Sequence, residues 1–228
     1  ISLAFFERGK KIKAAVEGSE LAEPIINEVA KNVTNWINKQ KITNRSLKSL
    51  IIRSNGQGDA IAALFIKDEL SFSDYPSTTE KLKGFHLYYS THKSPASVPT
   101  KLLYSTGDNY LNTELLGTKL KFGLLSFFQI NIPIFETALK DIAAFVGPKT
   151  PLIDYYSGVG AIGLPLAKNR SETIFVDNNK EAIEYAKENI VLNNLTNCRA
   201  ECVEAEKMLD IISKDKIIIL DPPRAGLH

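Results

Sequence analysis

The stretch Asp154-Tyr155-Tyr156-Ser157-Gly158-Val159-Gly160-Ala161-Ile162-Gly163 carries the strongest chemical signal in the sequence. An apolar strand ends there, the chain turns sharply, and a helix is expected to begin. Glycines let backbone approach a ligand where a Cβ would collide. The Gly158-x-Gly160-x-x-Gly163 spacing meets the fingerprint of dinucleotide binding. Two cofactors suit such a turn. A nicotinamide dinucleotide would rest its pyrophosphate on the helix N-terminus, whereas S-adenosylmethionine would lie with its methionine and ribose over the loop. A tight turn without a ligand is the plain structural alternative. Asp177 ends the next apolar run, 17 residues after Gly160. A carboxylate there can accept both ribose hydroxyls of either cofactor, or can simply cap the helix that follows.

Asp221-Pro222-Pro223-Arg224 separates the two cofactors. It closes a fourth apolar run, and ligands of open α/β sheets sit beyond the carboxyl ends of the strands. The tetrapeptide therefore borders the same cleft as Gly158 and Asp177. Two consecutive prolines fix a rigid, extended backbone that can hold a neighbouring loop. A nicotinamide enzyme has no evident need of it; a strand merely terminated by proline is the bland reading.

The elements that must position these residues alternate. Residues 135–146 read as a helix stopped by Gly147-Pro148, and residues 151–156 as a strand followed by a helix to about Lys168. Thr173 to Asp177 is a strand, Lys180 to Leu192 a helix, 197–203 a strand, 205–212 a helix and 216–221 a strand. Such alternation demands a mainly parallel sheet with right-handed crossovers. The first half has a different grammar. A helix is expected over 21–37, with Ser19 as its cap and Pro24 in its first turn, from the recurrence of Ile25, Val29, Val33 and Ile37. Residues 50–53 and 60–66 read as a hairpin-like pair around Ser54-Asn55-Gly56, and 85–90 and 102–105 as further strands. The expected architecture is α/β: an incomplete Rossmann-like, doubly wound and mainly parallel domain over 126–228, preceded by a smaller α+β domain over 1–125.

Composition sets the class. With 44% apolar and 24% charged residues in 228, the chain reads as soluble and globular. No apolar run approaches the roughly 18–20 residues needed to span a bilayer, and the short apolar start from Ile1 to Phe6 is wrongly built for a signal peptide. Opening on Ile1 and ending on a fourth strand with an unpaired edge, the sequence is expected to be a piece of a longer protein. Cys198 and Cys202 are too few for a disulfide framework, so a reducing, cytoplasmic setting is expected. If helical, they would share a face and form half a metal site; with no nearby His, ordinary packing is the reading preferred. Residues 1–125 hold 17 basic and 12 acidic side chains, residues 126–228 hold 11 and 14. A basic half beside an acidic half fits a nucleic-acid-facing module joined to a catalytic one. Arg8, Lys10, Lys11 and Lys13 are the densest basic cluster, either a phosphate contact or a solvated face.

Taken in order, Leu125-Ser126-Phe127-Phe128-Gln129-Ile130-Asn131, the glycine turn and Asp221-Pro222-Pro223-Arg224-Ala225-Gly226-Leu227 resemble the motif series of the RNA (uracil-5-)-methyltransferases of tRNA and rRNA. Ala186-Lys187-Glu188-Asn189 and Asn193-Asn194-Leu195 resemble the family's helix and turn after the acidic strand. The resemblance implies S-adenosylmethionine as cofactor, with Gln129, Tyr156, Gly158, Gly160, Asp177 and Asp221 at the contacting positions. Asp177 stands where the family usually has Glu, which shortens the reach to the ribose. Of Phe127 and Phe128, at least one is expected in the core. The implied partner is RNA, tRNA or rRNA, with no membrane, no obligate protein partner and a monomeric state. The implied chemistry is addition of a cysteine thiolate to carbon 6 of uracil, making carbon 5 nucleophilic towards the sulfonium methyl, on a uridine unstacked into the cleft. That cysteine and the base that follows it lie, in the family, after the Asp-Pro-Pro-Arg motif, so residues 1–228 are expected to bind cofactor at best weakly and to be inactive by themselves. Ser19 stands near the place of an iron–sulfur ligand in some members, so no cluster is expected. The rivals are a methyltransferase acting on an exocyclic amine, which would favour an aromatic where Arg224 stands, a nicotinamide oxidoreductase, and a catalytically silent RNA-binding protein.

Overall fold

The computed structural model describes residues 1–10, 12–95, 97–223 and 226, with Phe6 described by its backbone alone. It divides into two compact units, Ile1–Leu111 and Asn112–His228.

The first unit opens with a two-stranded ribbon, β1 (Ala4–Phe6) and β2 (Lys13–Ala15), paired antiparallel. Helix α1 (Pro24–Lys39) follows, burying Ile25, Val29, Val33, Trp36 and Ile37 along one stripe. Helix α1 starts at Pro24, whose fixed φ suits a first turn, and Glu23 is its cap residue without a side-chain bond. Ser19 is not the cap. Its hydroxyl accepts from Leu21 N at 3.2 Å, and its backbone is held by Asn27. Strands β3 (Leu47–Ser54), β4 (Ala60–Ile66), β5 (Leu82–Tyr89) and β6 (Lys101–Gly107) form one sheet in that order. β3–β4 is the expected hairpin, whereas β4–β5 is parallel. A parallel pair needs a crossover of a dozen or more residues, usually helical. Here 67–81 makes it without a helix, pinned where Phe72 and Tyr75 pack on Trp36 and Trp36 Nε1 donates to Asp74 O at 3.0 Å.

A hairpin without a clear sequence signal opens the second unit, β7 (Tyr110–Leu115) and β8 (Thr118–Gly123), its first two residues falling in the first unit. Its two-residue link, Leu116-Gly117, has positive φ at both positions, as a tight hairpin turn requires. The division falls at Leu111/Asn112, two residues into β7, and β8 is bonded to the later helix described next. Helix α2 (Ile132–Val146) is capped by Asn131, and strands β9 (Leu152–Tyr155), β10 (Thr173–Asp177), β11 (Cys198–Cys202) and β12 (Ile217–Leu220) form a fully parallel sheet in the order β11-β10-β9-β12. Helix α4 (Lys180–Leu192) links β10 to β11 and is capped by Asn179. Between β9 and β10 the helix expected to reach Lys168 shrinks to α3 (Gly163–Leu166), and the stretch Ala205–Ile211 is a 3₁₀ helix.

Alternation along the strands sorts the faces. Ile153, Tyr155, Ile174 and Val176 pack with Val203, Met208 and Ile211 on one side. Asp154 and Phe175 look the other way, onto the glycine turn and α3. Helix α4 is laced to β8 by two asparagines one turn apart: Asn189 exchanges bonds with both backbone groups of Lys121, and Asn193 with both of Lys119. Four helical residues rise about 6 Å and alternate strand residues lie about 6.8 Å apart, so the amides stand in for a neighbouring strand. Among the described residues no helix is long and apolar enough to cross a membrane.

Candidate functional site

The carboxyl ends of β9, β10 and β12 converge on one cavity of about 460 Å³, lined by Tyr156, Asp177, Glu204, Glu206, Pro223 and Gly226 among others. This lies within the roughly 300–1,000 Å³ typical of small-molecule sites. Tyr156 and Glu206 also line a second, smaller cavity of about 250 Å³, whose remaining walls include Leu209, Ile212, Ile218 and Leu220. The Tyr156 backbone is left-handed, φ +61, a conformation costing a bulky residue roughly 1–3 kcal/mol and concentrated at functional sites. Its hydroxyl donates to Glu206 Oε1 at 2.9 Å, which pushes the phenol's proton affinity up.

The glycine turn is held shut against the protein. Gly158 N donates to Asp177 Oδ2 at 2.9 Å, Gly160 N to Ser157 O at 2.9 Å, and Gly163 N to Asp154 Oδ2 at 2.9 Å. These three glycine N–H groups, which could otherwise face a pyrophosphate in a nicotinamide site, are bonded within the protein. The three glycines differ in what they protect. Gly158 has φ +55 and open space where a Cβ would project. At Gly160 a Cβ would sit 2.5 Å from Leu164 Cδ1, and at Gly163 it would sit 2.6 Å from the Phe175 ring and 2.7 Å from Asp154 Oδ2. The third glycine is there for close packing of the turn on the sheet, and the first leaves room above it.

Asp177 ends β10 as expected, but both its oxygens already accept a backbone N–H, from Gly158 at 2.9 Å and from Asn179 at 2.8 Å. Only its remaining lone pairs face a ligand. Asp221 is the first residue past β12 and is exposed; its charge helps raise the pKa of Asp154. Gln129 is half-buried just ahead of α2 and is not among the residues lining the cavity. Phe128 is core, stacked on Phe122 with centroids 4.1 Å apart, while Phe127 is 69% exposed. Arg224 and Ala225, in the proline motif, and Lys11, in the basic cluster, lie outside the described residues. Of the rest of that cluster, Lys10 pairs with Glu7 at 2.8 Å.

Three acidic residues were not anticipated at the site. Glu204 and Glu206 follow directly on β11, where the rule about carboxyl strand ends could have found them. Asp154 is fully buried in β9; an acid inside an otherwise apolar strand was its signal. Every described ionisable side chain lining the cavity other than Tyr156 is therefore a carboxylate. That wall favours a cationic ligand and opposes a pyrophosphate. Cys198 and Cys202 lie on a strand, not on one face of a helix. Both are free thiols on β11, and among the described residues no group of His, Cys, Asp and Glu is arranged to hold a metal ion.

Comparison with known proteins gives the same direction. Residues 147–221 match the model of a methyltransferase domain. The chain is 31% identical over 195 residues to an uncharacterized RNA methyltransferase of Clostridium acetobutylicum, covering 79% of this chain and 42% of that protein. It is 32% identical over 223 residues to the tRNA (uracil(54)-C(5))-methyltransferase of Pyrococcus furiosus, covering 96% of this chain and 51% of the relative. The chain thus spans about half the length of these curated relatives. The crystal structure of the Pyrococcus abyssi tRNA (uracil-54, C5)-methyltransferase in complex with S-adenosyl-L-homocysteine superposes with a TM-score of 0.78 at 22% identity, over 98% of this chain and 57% of that one. This likeness fixes the fold as the Rossmann-like methyltransferase type. By its sequence matches, its fold and its ordered motifs together, the chain belongs to the S-adenosylmethionine-dependent RNA (uracil-5-)-methyltransferase family.

Proposed function

We propose that the second unit binds S-adenosylmethionine in the cavity over the tips of β9, β10 and β12. In the whole protein this would serve transfer of the methyl group to carbon 5 of a uridine in tRNA or rRNA, through a transient cysteine–uracil adduct. The observation that carries this reading is the acid-lined cavity beside a glycine turn whose N–H groups are already bonded. The cofactor, when bound, supplies an electrophilic methyl on a cationic sulfur. Tyr156 and Asp177 are the groups of this chain that hold it, Asp177 through the lone pairs left by Gly158 and Asn179. Pro223 lines the same cavity, Asp221 and Gln129 complete the contact set on the family pattern, and the first unit is the RNA-facing module of a monomer.

Calorimetry tests the cofactor directly. S-adenosylhomocysteine is expected to bind residues 1–228 and NAD to give no heat; the reverse pattern would overturn the reading. Gly158→Ala sharpens the test. Its methyl meets no protein atom within 4 Å, so the variant should unfold within a few degrees of the parent, the left-handed φ costing about 1–2 kcal/mol. Affinity for S-adenosylhomocysteine should fall at least about tenfold, because the methyl takes space the ligand needs. Unchanged affinity would place the ligand elsewhere.

A further inference from the structure

We propose that Asp154 is a positioning residue of this cleft: its buried carboxyl ties down the glycine turn, and its charge weights the cleft towards a cationic ligand. The inference rests on the cofactor reading above and adds a residue that the motif resemblance does not assign to the cofactor. Asp154 lies in the central strand β9, between Phe175 of β10 and Ile219 of β12. Oδ2 accepts the Gly163 N–H at 2.9 Å, while Oδ1 is buried with no hydrogen-bond partner. The Cβ that Gly163 lacks would fall 2.7 Å from Oδ2, so turn and carboxyl are fitted to each other.

A buried carboxylate without a cation or a second donor is poorly stabilised. The charged groups acting on Asp154 are Asp221, beyond β12, and Asp177, at the tip of β10; both are acidic, and α3 contributes only the Gly163 N–H. Burial first, then these two neighbours, push its carboxyl up to about 7. Near neutral pH the residue therefore divides between acid and carboxylate. A positive charge arriving above the turn favours the carboxylate, and by linkage the carboxylate favours the positive charge equally. S-adenosylmethionine and S-adenosylhomocysteine differ at this point by one charge and one methyl group.

The test is the ratio of affinities for these two ligands between pH 5.5 and 8.5. In the parent protein the preference for the sulfonium is expected to grow about tenfold across pH 7, corresponding to a shift of one pKa unit on binding. Asp154→Asn keeps a carbonyl to accept the Gly163 N–H and cannot ionise, so its ratio should stay flat. Ionisation of the ligands' own amino groups occurs with both proteins and cancels in the comparison. A flat ratio in the parent, or an equal slope in the Asn variant, overturns the role of Asp154 while leaving the cofactor site standing. Absence of binding of either ligand to the parent at every pH brings down the cofactor reading, and this inference with it. Should Asp154→Asn fail to fold, carboxyl-carbon NMR of the parent decides. The Asp154 midpoint should lie near 7 and drop by about one unit with S-adenosylmethionine, less with S-adenosylhomocysteine; a midpoint in the ordinary carboxylate range, or one indifferent to the sulfonium, overturns the proposal.

Discussion

Asn189→Asp is expected to lower the thermal midpoint of the protein by about 10 °C or more, as measured by circular dichroism or scanning calorimetry. Asn189 is fully buried. Its Nδ2 donates to Lys121 O at 2.9 Å and to Val159 O at 3.0 Å, while Oδ1 accepts from Lys121 N at 2.7 Å. An aspartate there would turn a second oxygen towards two carbonyl oxygens. Each buried acceptor left without a donor costs about 1–3 kcal/mol, and an uncompensated buried charge costs more unless it takes up a proton. A total of about 4 kcal/mol, at roughly 2–4 °C per kcal/mol for a chain of this size, gives the stated shift. Asn193→Asp should cost less, because its bonds to Lys119 are exposed to water. Since Val159 belongs to the glycine turn, the Asn189 variant should also bind S-adenosylhomocysteine more weakly where it is still folded. A midpoint within about 2 °C of the parent would mean that the asparagine ladder does not hold α4 on β8.

The role of Asn189 shows where sequence reading stops. The helix that carries it was legible from end to end, Lys180 to Leu192, because its signals are local: Asn179 as cap, an apolar stripe, an Asn-rich stop. Strands β4 and β10 were read with the same ends for the same reason, apolar runs bounded by polar turns. The partner of Asn189 is 68 residues away, and no local pattern announces it. The β7–β8 hairpin failed for another reason. Its strands mix Asn, Thr, Glu and Lys with single leucines, and its turn is made by Leu116 at positive φ, a residue that propensity places elsewhere. The helix after the glycine turn was overdrawn because Pro165 and the early stop near Ala167 were outweighed by apolar content.

Within the site, the glycines and Asp177 were visible because their roles depend on backbone geometry at a strand end, which spacing records. What Asp177 does with its two oxygens was not visible. Spacing locates a carboxylate at the cleft, but only the fold reveals that Gly158 N and Asn179 N reach it first. Through these two bonds the Asp177 carboxylate bridges the glycine turn and the start of α4. In the sequence Asp154 is only the opening residue of the motif, with nothing local to give it a function of its own. Burial and the missing partner of Oδ1 are properties of the folded state.

Residues 1–228 by themselves are expected to bind S-adenosylhomocysteine and yet produce no 5-methyluridine, in an assay following labelled methyl from S-adenosylmethionine into an unmodified tRNA or rRNA transcript. The reason lies in where the two thiols stand. Both are on β11, and the sheet order β11-β10-β9-β12 puts three inter-strand spacings, about 14 Å, between them and the strand that delivers Asp221-Pro222-Pro223. Attack on carbon 6 of a uracil requires a thiolate within bonding reach of a base whose carbon 5 faces the methyl. Cys198 is further disabled by its surroundings: burial pushes its thiol up to about 11, against a slight opposing pull from the Thr173 hydroxyl. At neutral pH it holds almost no thiolate. Cys202 is exposed, but sits at the Asp177 side of the cleft with its Sγ 3.8 Å from Asn178 O. Cys202→Ser should therefore leave cofactor affinity within about twofold of the parent, a change smaller than that of one neutral hydrogen bond. Formation of 5-methyluridine by residues 1–228, abolished by Cys202→Ser, would instead make β11 the source of the nucleophile.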